Sequence, residues 1–226
     1  IKLGLQELVE KMSVIMALFP ITAGGIAQFL IATASWVFLM RLVSDHGSDA
    51  VAGYTIALRV MMFTILPAWW LSIAVATLVG QNLGAEKVER AVSTVWQVAK
   101  YNVTYMVLVS LVMLAVPQSI MHIFTQEPAA VQYGVDALRI MSYAFAFMAV
   151  GMVVVQAFNG AGDTMTPTWI NVFCYWIVQV PVAWWLSTQL DMGPHGVFWS
   201  IFVAEVLMGI VGVIWFLRGS WKRQKV

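Results

Sequence analysis

The chain has 226 residues, 61% hydrophobic and only 10% charged, with a formal net charge of +1 and a mean hydropathy of +0.84. Water-soluble domains run about 45–50% apolar and about 25% charged, so a soluble core is excluded, and lipid is the solvent that removes the need for a charged surface. The near-neutral balance leaves no field for a nucleic-acid partner, and the single cysteine, Cys174, excludes an internal disulfide or a cysteine zinc site.

Stretches without Asp, Glu, Lys or Arg run Met12–Met40, Val60–Ala85, Tyr101–Gln126, Ile140–Gly162 and Thr164–Leu190, and Met192–Leu217 is interrupted only by Glu205. Each exceeds the roughly 20 apolar residues that cross a hydrocarbon core. The expectation is an all-α integral membrane protein, a bundle of six transmembrane helices at about 13–40, 50–80, 92–116, 137–159, 167–189 and 197–217. Short polar links separate them. The longest, Pro117–Asp136, contains Glu127-Pro128 and is expected along the membrane interface.

Orientation follows from the Lys/Arg bias across the links. With the N-terminus in the cytoplasm, Lys2, Lys11, Lys87, Arg90, Lys100, Arg218, Lys222, Arg223 and Lys225 fall on the cytoplasmic side, nine of the twelve basic residues. Both termini are then cytoplasmic. Trp96, Trp169 and Trp221 are expected at the inner interface, and Trp184, Trp185 and Trp199 near the outer one. Asn102-Val103-Thr104 fits a glycosylation sequon but falls inside a span, which discounts it. The chain opens Ile1-Lys2-Leu3, as the excised half of a longer protein would.

Ionisable groups inside a span cost about 2.5–3.5 kcal/mol at the helix centre on insertion scales, so each needs a reason. Arg59 and Glu205 lie at similar depth, about 12–14 Å inside at 1.5 Å per residue. They are expected to meet in an ion pair, directly or through water, either as a static bridge or as a titratable pair lining a cavity. Gln28, Asn82, Gln156, Asn159, Asn171 and Gln179 are uncharged polar residues within spans, suited to interhelical hydrogen bonds or to ligand contact. Pro20, Pro67 and Pro181 can bend helices and free carbonyls. Fourteen methionines, Met62 among them, suit a surface that accepts varied apolar ligands.

His46, His122 and His195 have no ligand-like spacing, so no metal site is assigned. No catalytic motif is present, and enzyme function is not expected. Gly160-Ala161-Gly162-Asp163-Thr164 lacks the lysine of a phosphate loop and follows a helix where that motif follows a strand. Gly160 and Gly162 suit a helix end, Asp163 or Thr166 a cap on the next helix, and Pro167 its first turn.

Several stretches carry a resemblance. Val79-Gly80-Gln81-Asn82-Leu83-Gly84-Ala85, the Gly160–Thr164 turn with Pro167, Pro181-Val182-Ala183 and Ala57-Leu58-Arg59 stand in the order found in the multidrug and toxic compound extrusion (MATE) family. The chain resembles that family's C-terminal six-helix lobe over residues 1–226, with the N-terminal lobe absent. The resemblance implies a polyspecific exporter with two lobes around a central cavity that opens alternately inward and outward. It would expel lipophilic or cationic small molecules in exchange for protons or sodium ions, without another cofactor, and reside in a bacterial inner membrane. The partners implied are the N-terminal lobe and the bilayer.

One branch of the family carries a glutamate eight positions after a helix proline, where this chain has Gln28, and an aspartate before the Asp-Thr turn, where it has Phe147. Neither carboxylate is present, which leaves Glu205 as the one carboxylate at membrane depth and the coupling ion open. Two alternatives remain. A lipid-linked precursor flippase of the same superfamily should carry several cavity cations, and a non-transporting assembly module should carry small-residue dimer motifs.

Overall fold

The computed structural model describes residues 5–223, with side chains described for Phe19 and for 22–222. Lys2, Lys11, Pro20, Arg223 and Lys225 therefore lie outside the described side chains. The helices are α1 Leu5–Ser44, α2 Ser48–Gly84, α3 Val88–Ala115, α4 Pro117–His122, α5 Pro128–Ser142, α6 Phe145–Gly160, α7 Met165–Gln189 and α8 Pro194–Arg218, with a short turn at Ser220–Arg223. Among the described residues, five helices are long and apolar enough to cross a membrane, and six spans result when the bent pair α5 and α6 counts as one. The chain is an all-α multi-pass membrane bundle.

The fourth span departs from the expected straight helix at 137–159. It begins at Pro128, and α5 meets α6 at a bend of 57°. No proline sits at the break. The Ala144 amide donates to the Met141 carbonyl at 3.1 Å, a tightened turn, and the Ser110 hydroxyl of α3 donates to the Ser142 carbonyl at 2.8 Å. A side chain that takes a ladder carbonyl is a recognised cause of a sharp kink. The link expected at 117–136 is largely helical. Helix α4 and the start of α5 leave only 123–127 outside helices, because Pro117 and Pro128 each open a helix at a position that needs no amide donor.

Helix α2 is the hub, packed against α3, α5 and α6, while α1 lies mainly on α7. Close crossings need glycine. A Cβ on Gly53 would sit 2.8 Å from the Gly134 amide of α5. Along the bundle axis one cluster gathers Leu39, Tyr54, Met61, Leu138 and Phe198, and a second, towards the other end, gathers Val79, Val95, Phe158, Phe216 and Trp221. Trp221 corrects the expected aromatic belt. It is fully buried, stacked on Phe216 at 4.9 Å, and its indole N–H donates to the Phe216 carbonyl. Trp169, Trp184 and Trp185 are exposed on the surface of the bundle.

Asn102 explains part of the packing. Its Nδ2 donates to Ser72 Oγ of α2 at 3.1 Å and to the Ala149 carbonyl of α6 at 3.2 Å, tying three helices at one buried point. Near Pro67, the Tyr105 hydroxyl donates to the Thr64 carbonyl at 2.8 Å, an external partner for helix backbone close to the proline.

Candidate functional site

A cavity of about 30 Å³ lies at the centre of the bundle. Its walls come from α1 (Trp36), α2 (Leu58, Met61 and Met62), the bent pair (Met141 and Met148), α7 (Gln179) and α8 (Glu205). On α2, Leu58, Met61, Met62 and Ile65 line it at helical spacing, so one face of that helix forms a wall. Met141 and Met148 flank the bend, which sets the cavity at that height. Met62 is 51% exposed and marks the mouth.

The polar groups come from α7 and α8. Glu205 lies eleven residues after Pro194, about 17 Å along α8, near the middle of that helix. It is 8% exposed, and Tyr175 Oη donates to its Oε1 at 3.2 Å. Gln179 is 1% exposed, and its Oε1 has no hydrogen-bond partner. Both Tyr175 and Gln179 stand on a wide-turned segment, Val172–Gln179, where the Val180 amide reaches back to the Tyr175 carbonyl. Such π turns alter side-chain register within a helix and concentrate at functional sites. Chemically, the cavity offers a carboxyl among polarisable thioethers. It can hold a proton or the head of a cation.

The structure thus brings Met62, Gln179 and Glu205 together. It does not bring Arg59 to them. Arg59 is exposed, and no carboxylate oxygen lies within 4.0 Å of it among the described residues, so Arg59 and Glu205 make no direct ion pair. Arg59 lies eleven residues after Ser48 on α2, as Glu205 lies eleven after Pro194 on α8. The azimuth does not match, because Arg59 shares the spacing of Phe63, Leu66 and Trp70, an exposed stripe on α2.

Gln28 and Gln156 belong to a separate polar node. Gln28 Nε2 donates to Asn159 Oδ1 and to the Thr164 carbonyl, each at 3.1 Å, and Asn159 Nδ2 donates to Gln156 Oε1 at 3.4 Å. The node ties α1 to the turn between α6 and α7. Asn171 is buried on α7 with Oδ1 unpartnered. Asn82 donates only to its own helix, at the Leu78 carbonyl.

The two glycine-bearing stretches meet. A Cβ on Gly80 would lie 3.0 Å from the Gly160 carbonyl, and one on Gly160 would press into the backbone of Ala76. Gly162 takes φ +78°, the left-handed turn that favours glycine. Asp163 then accepts from the Thr166 amide at 3.0 Å and hydroxyl at 2.7 Å, which fixes the entry to α7, with Thr164 and Pro167 buried beside it. Gln81 and Gly84 are exposed at the end of α2.

Sequence reasoning missed Tyr175, the one side chain bonded to Glu205 among the described residues. Its only signal was the four-residue spacing to Gln179, and apolar flanks concealed it. It also missed the contact of His195 Nε2 with Asp136 Oδ2 at 3.0 Å, which joins the middle of α5 to the start of α8.

The MatE family matches residues 20–185 of the chain. A probable multidrug resistance protein NorM of Thermotoga maritima is 24% identical over 202 residues, which cover 89% of this chain and 43% of that protein. One of Acinetobacter baylyi is 32% identical over 186 residues, covering 80% and 40% respectively. Among solved structures, the MATE transporter ClbM in complex with Rb+ superposes with a TM-score of 0.87 at 20% identity, covering 97% of this chain and 52% of that one. The chain spans less than half the length of these two curated relatives.

Proposed function

This chain belongs to the MatE family, and from that premise we propose that it is the C-terminal six-helix lobe of a secondary active exporter of lipophilic or cationic small molecules. The exporter exchanges them for protons or sodium ions, and this lobe faces an N-terminal lobe across a cavity that opens alternately to either side. Its place is a bacterial inner membrane, with both termini cytoplasmic. The names of the two relatives support multidrug efflux, and the basic bias of the links supports the orientation.

The observation that carries this reading is Glu205. A carboxyl near mid-membrane faces a methionine-walled cavity, with Tyr175 as its hydrogen-bond donor and no cation within 4.0 Å among the described residues. Such a group is expensive unless a proton or a cationic ligand occupies the site for part of a cycle. The flippase alternative asks for cationic side chains around an anionic head group. The cavity lining contains no Lys or Arg, so export of cations is preferred.

The test is dye efflux by the complete transporter in proteoliposomes under imposed proton or sodium gradients. Efflux that follows one gradient supports antiport. Efflux indifferent to both defeats it.

A further inference from the structure

We infer that the cavity at Glu205 takes a proton and not a sodium ion, with the proton on Glu205 Oε2 and Tyr175 as the positioning residue that holds the carboxyl by Oε1. This rests on the antiport reading above and names its coupling ion.

The two carboxyl oxygens differ. Oε1 receives the Tyr175 hydroxyl at 3.2 Å, from the wide-turned segment Val172–Gln179. Oε2 has no hydrogen-bond partner among the described residues, and it is not one of the fully enclosed unpartnered atoms, which are Asn102 Oδ1, Asn171 Oδ1 and Gln179 Oε1. Oε2 is therefore the oxygen left open on a side chain that lines the cavity. About 30 Å³ gives room for about two waters, which bring a proton to Oε2 and take it away again. Only an O–H bond forms and breaks. The Tyr175 hydroxyl can donate to Oε1 in both states, so the carboxyl keeps its place through the exchange.

Sodium needs more than these walls supply. A monatomic cation sheds its hydration shell only where several protein oxygens replace it. Among the lining side chains only Tyr54, Gln179 and Glu205 carry oxygen, and Gln179 Oε1 is shut off from the void. Thioethers make up much of the remainder, and their soft sulfur does not suit a hard cation. Freed backbone carbonyls lie elsewhere. Pro67 leaves the Phe63 carbonyl without its donor, and Pro181 that of Trp176 or Ile177, and none of these residues lines the cavity.

Among the described residues, the titratable side chains beside Glu205 are Tyr175 and Cys174 on α7 and Tyr54 on α2. All three types are neutral in the range where carboxyls titrate, so none competes for the proton. Trp36 from α1, and Met141 and Met148 from the bent pair, do not ionise.

The experiment is infrared difference spectroscopy of the complete transporter in lipid, which reads the C=O stretch of a protonated carboxyl as pH is varied. A band that titrates and is lost in Glu205→Gln is expected. At fixed pH, excess sodium chloride should leave that band as choline chloride does. Tyr175→Phe takes a hydrogen bond from the ionised carboxylate, so the midpoint should move up by about one pH unit. That shift assigns the band to Glu205 even where Glu205→Gln does not fold. Loss of the band on adding sodium to the unaltered protein overturns the inference. A titrating band untouched by Glu205→Gln overturns it too, as does an unmoved midpoint in Tyr175→Phe. If the band behaves as expected while dye efflux ignores both gradients, the inference stands and the antiport reading fails. If sodium displaces the band and drives efflux, the antiport reading stands and the inference fails.

Discussion

The side-chain amides of Gln28 and Asn159, 131 residues apart, bond to one another in both directions, Nε2 to Oδ1 at 3.1 Å and Nδ2 to Oε1 at 3.4 Å. Gln28 is 8% exposed and also serves the Thr164 carbonyl, so this one residue closes α1 onto the α6–α7 turn. Gln28→Leu removes both donations and strands buried acceptors, at about 1–3 kcal/mol. A lower thermal midpoint in detergent is expected, and an unchanged midpoint would show that water serves the node equally well.

Asn102 should be more sensitive. Asn102→Leu deletes donors to Ser72 and Ala149 at a fully buried three-helix junction. A loss of about 2 kcal/mol or more is expected from two broken buried bonds. Ser72→Ala removes one acceptor and should cost less. If the two variants melt together, the junction is held by packing alone.

Gly160→Ala tests the crossing of the two glycine-bearing stretches. The added methyl would stand 2.6 Å from Ala76 Cα, a contact that only movement of α2 from α6 relieves. Overpacking of this kind costs about 1–3 kcal/mol. Gly84→Ala, whose Cβ meets nothing within 4 Å, is the matched control and should be neutral. Equal stability of the two would remove the steric account.

Arg59→Gln should leave stability within about 0.5 kcal/mol, as for surface substitutions away from packed features. Arg59 is exposed and unpaired among the described residues. A large fall in the melting temperature would mean a partner the geometry does not contain.

Much of the fold was legible because lipid imposes one simple rule, and long uncharged runs between polar links placed the second, third, fifth and sixth spans within a few residues, while the fourth begins nine residues earlier than expected, at Pro128. The turn at Gly160–Thr164 was legible for the same reason, since a φ-permissive glycine and a capping aspartate carry their geometry in their chemistry. The bend at Ser142–Phe145 was not, because its cause is Ser110 on another helix. For the site, counting residues fixes depth and leaves rotation open. Arg59 and Glu205 share a depth, yet Arg59 turns outward with Phe63 and Leu66 while Glu205 turns inward to Tyr175. In helices apolar on every side, the sequence carries no stripe from which to read that rotation.

The claim at the centre of the account is that Glu205 works on the transported species or its counter-ion. Gradient-driven dye efflux by the complete transporter, unaltered and carrying Glu205→Gln, tests it most directly. The substitution keeps shape and an acceptor for Tyr175 while removing the charge. Efflux driven by the coupling gradient should fall by about tenfold or more, equivalent to about 1.4 kcal/mol, with the melting temperature in detergent preserved. Unchanged coupling in a well-folded Glu205→Gln protein would contradict the account and leave Glu205 a packing residue.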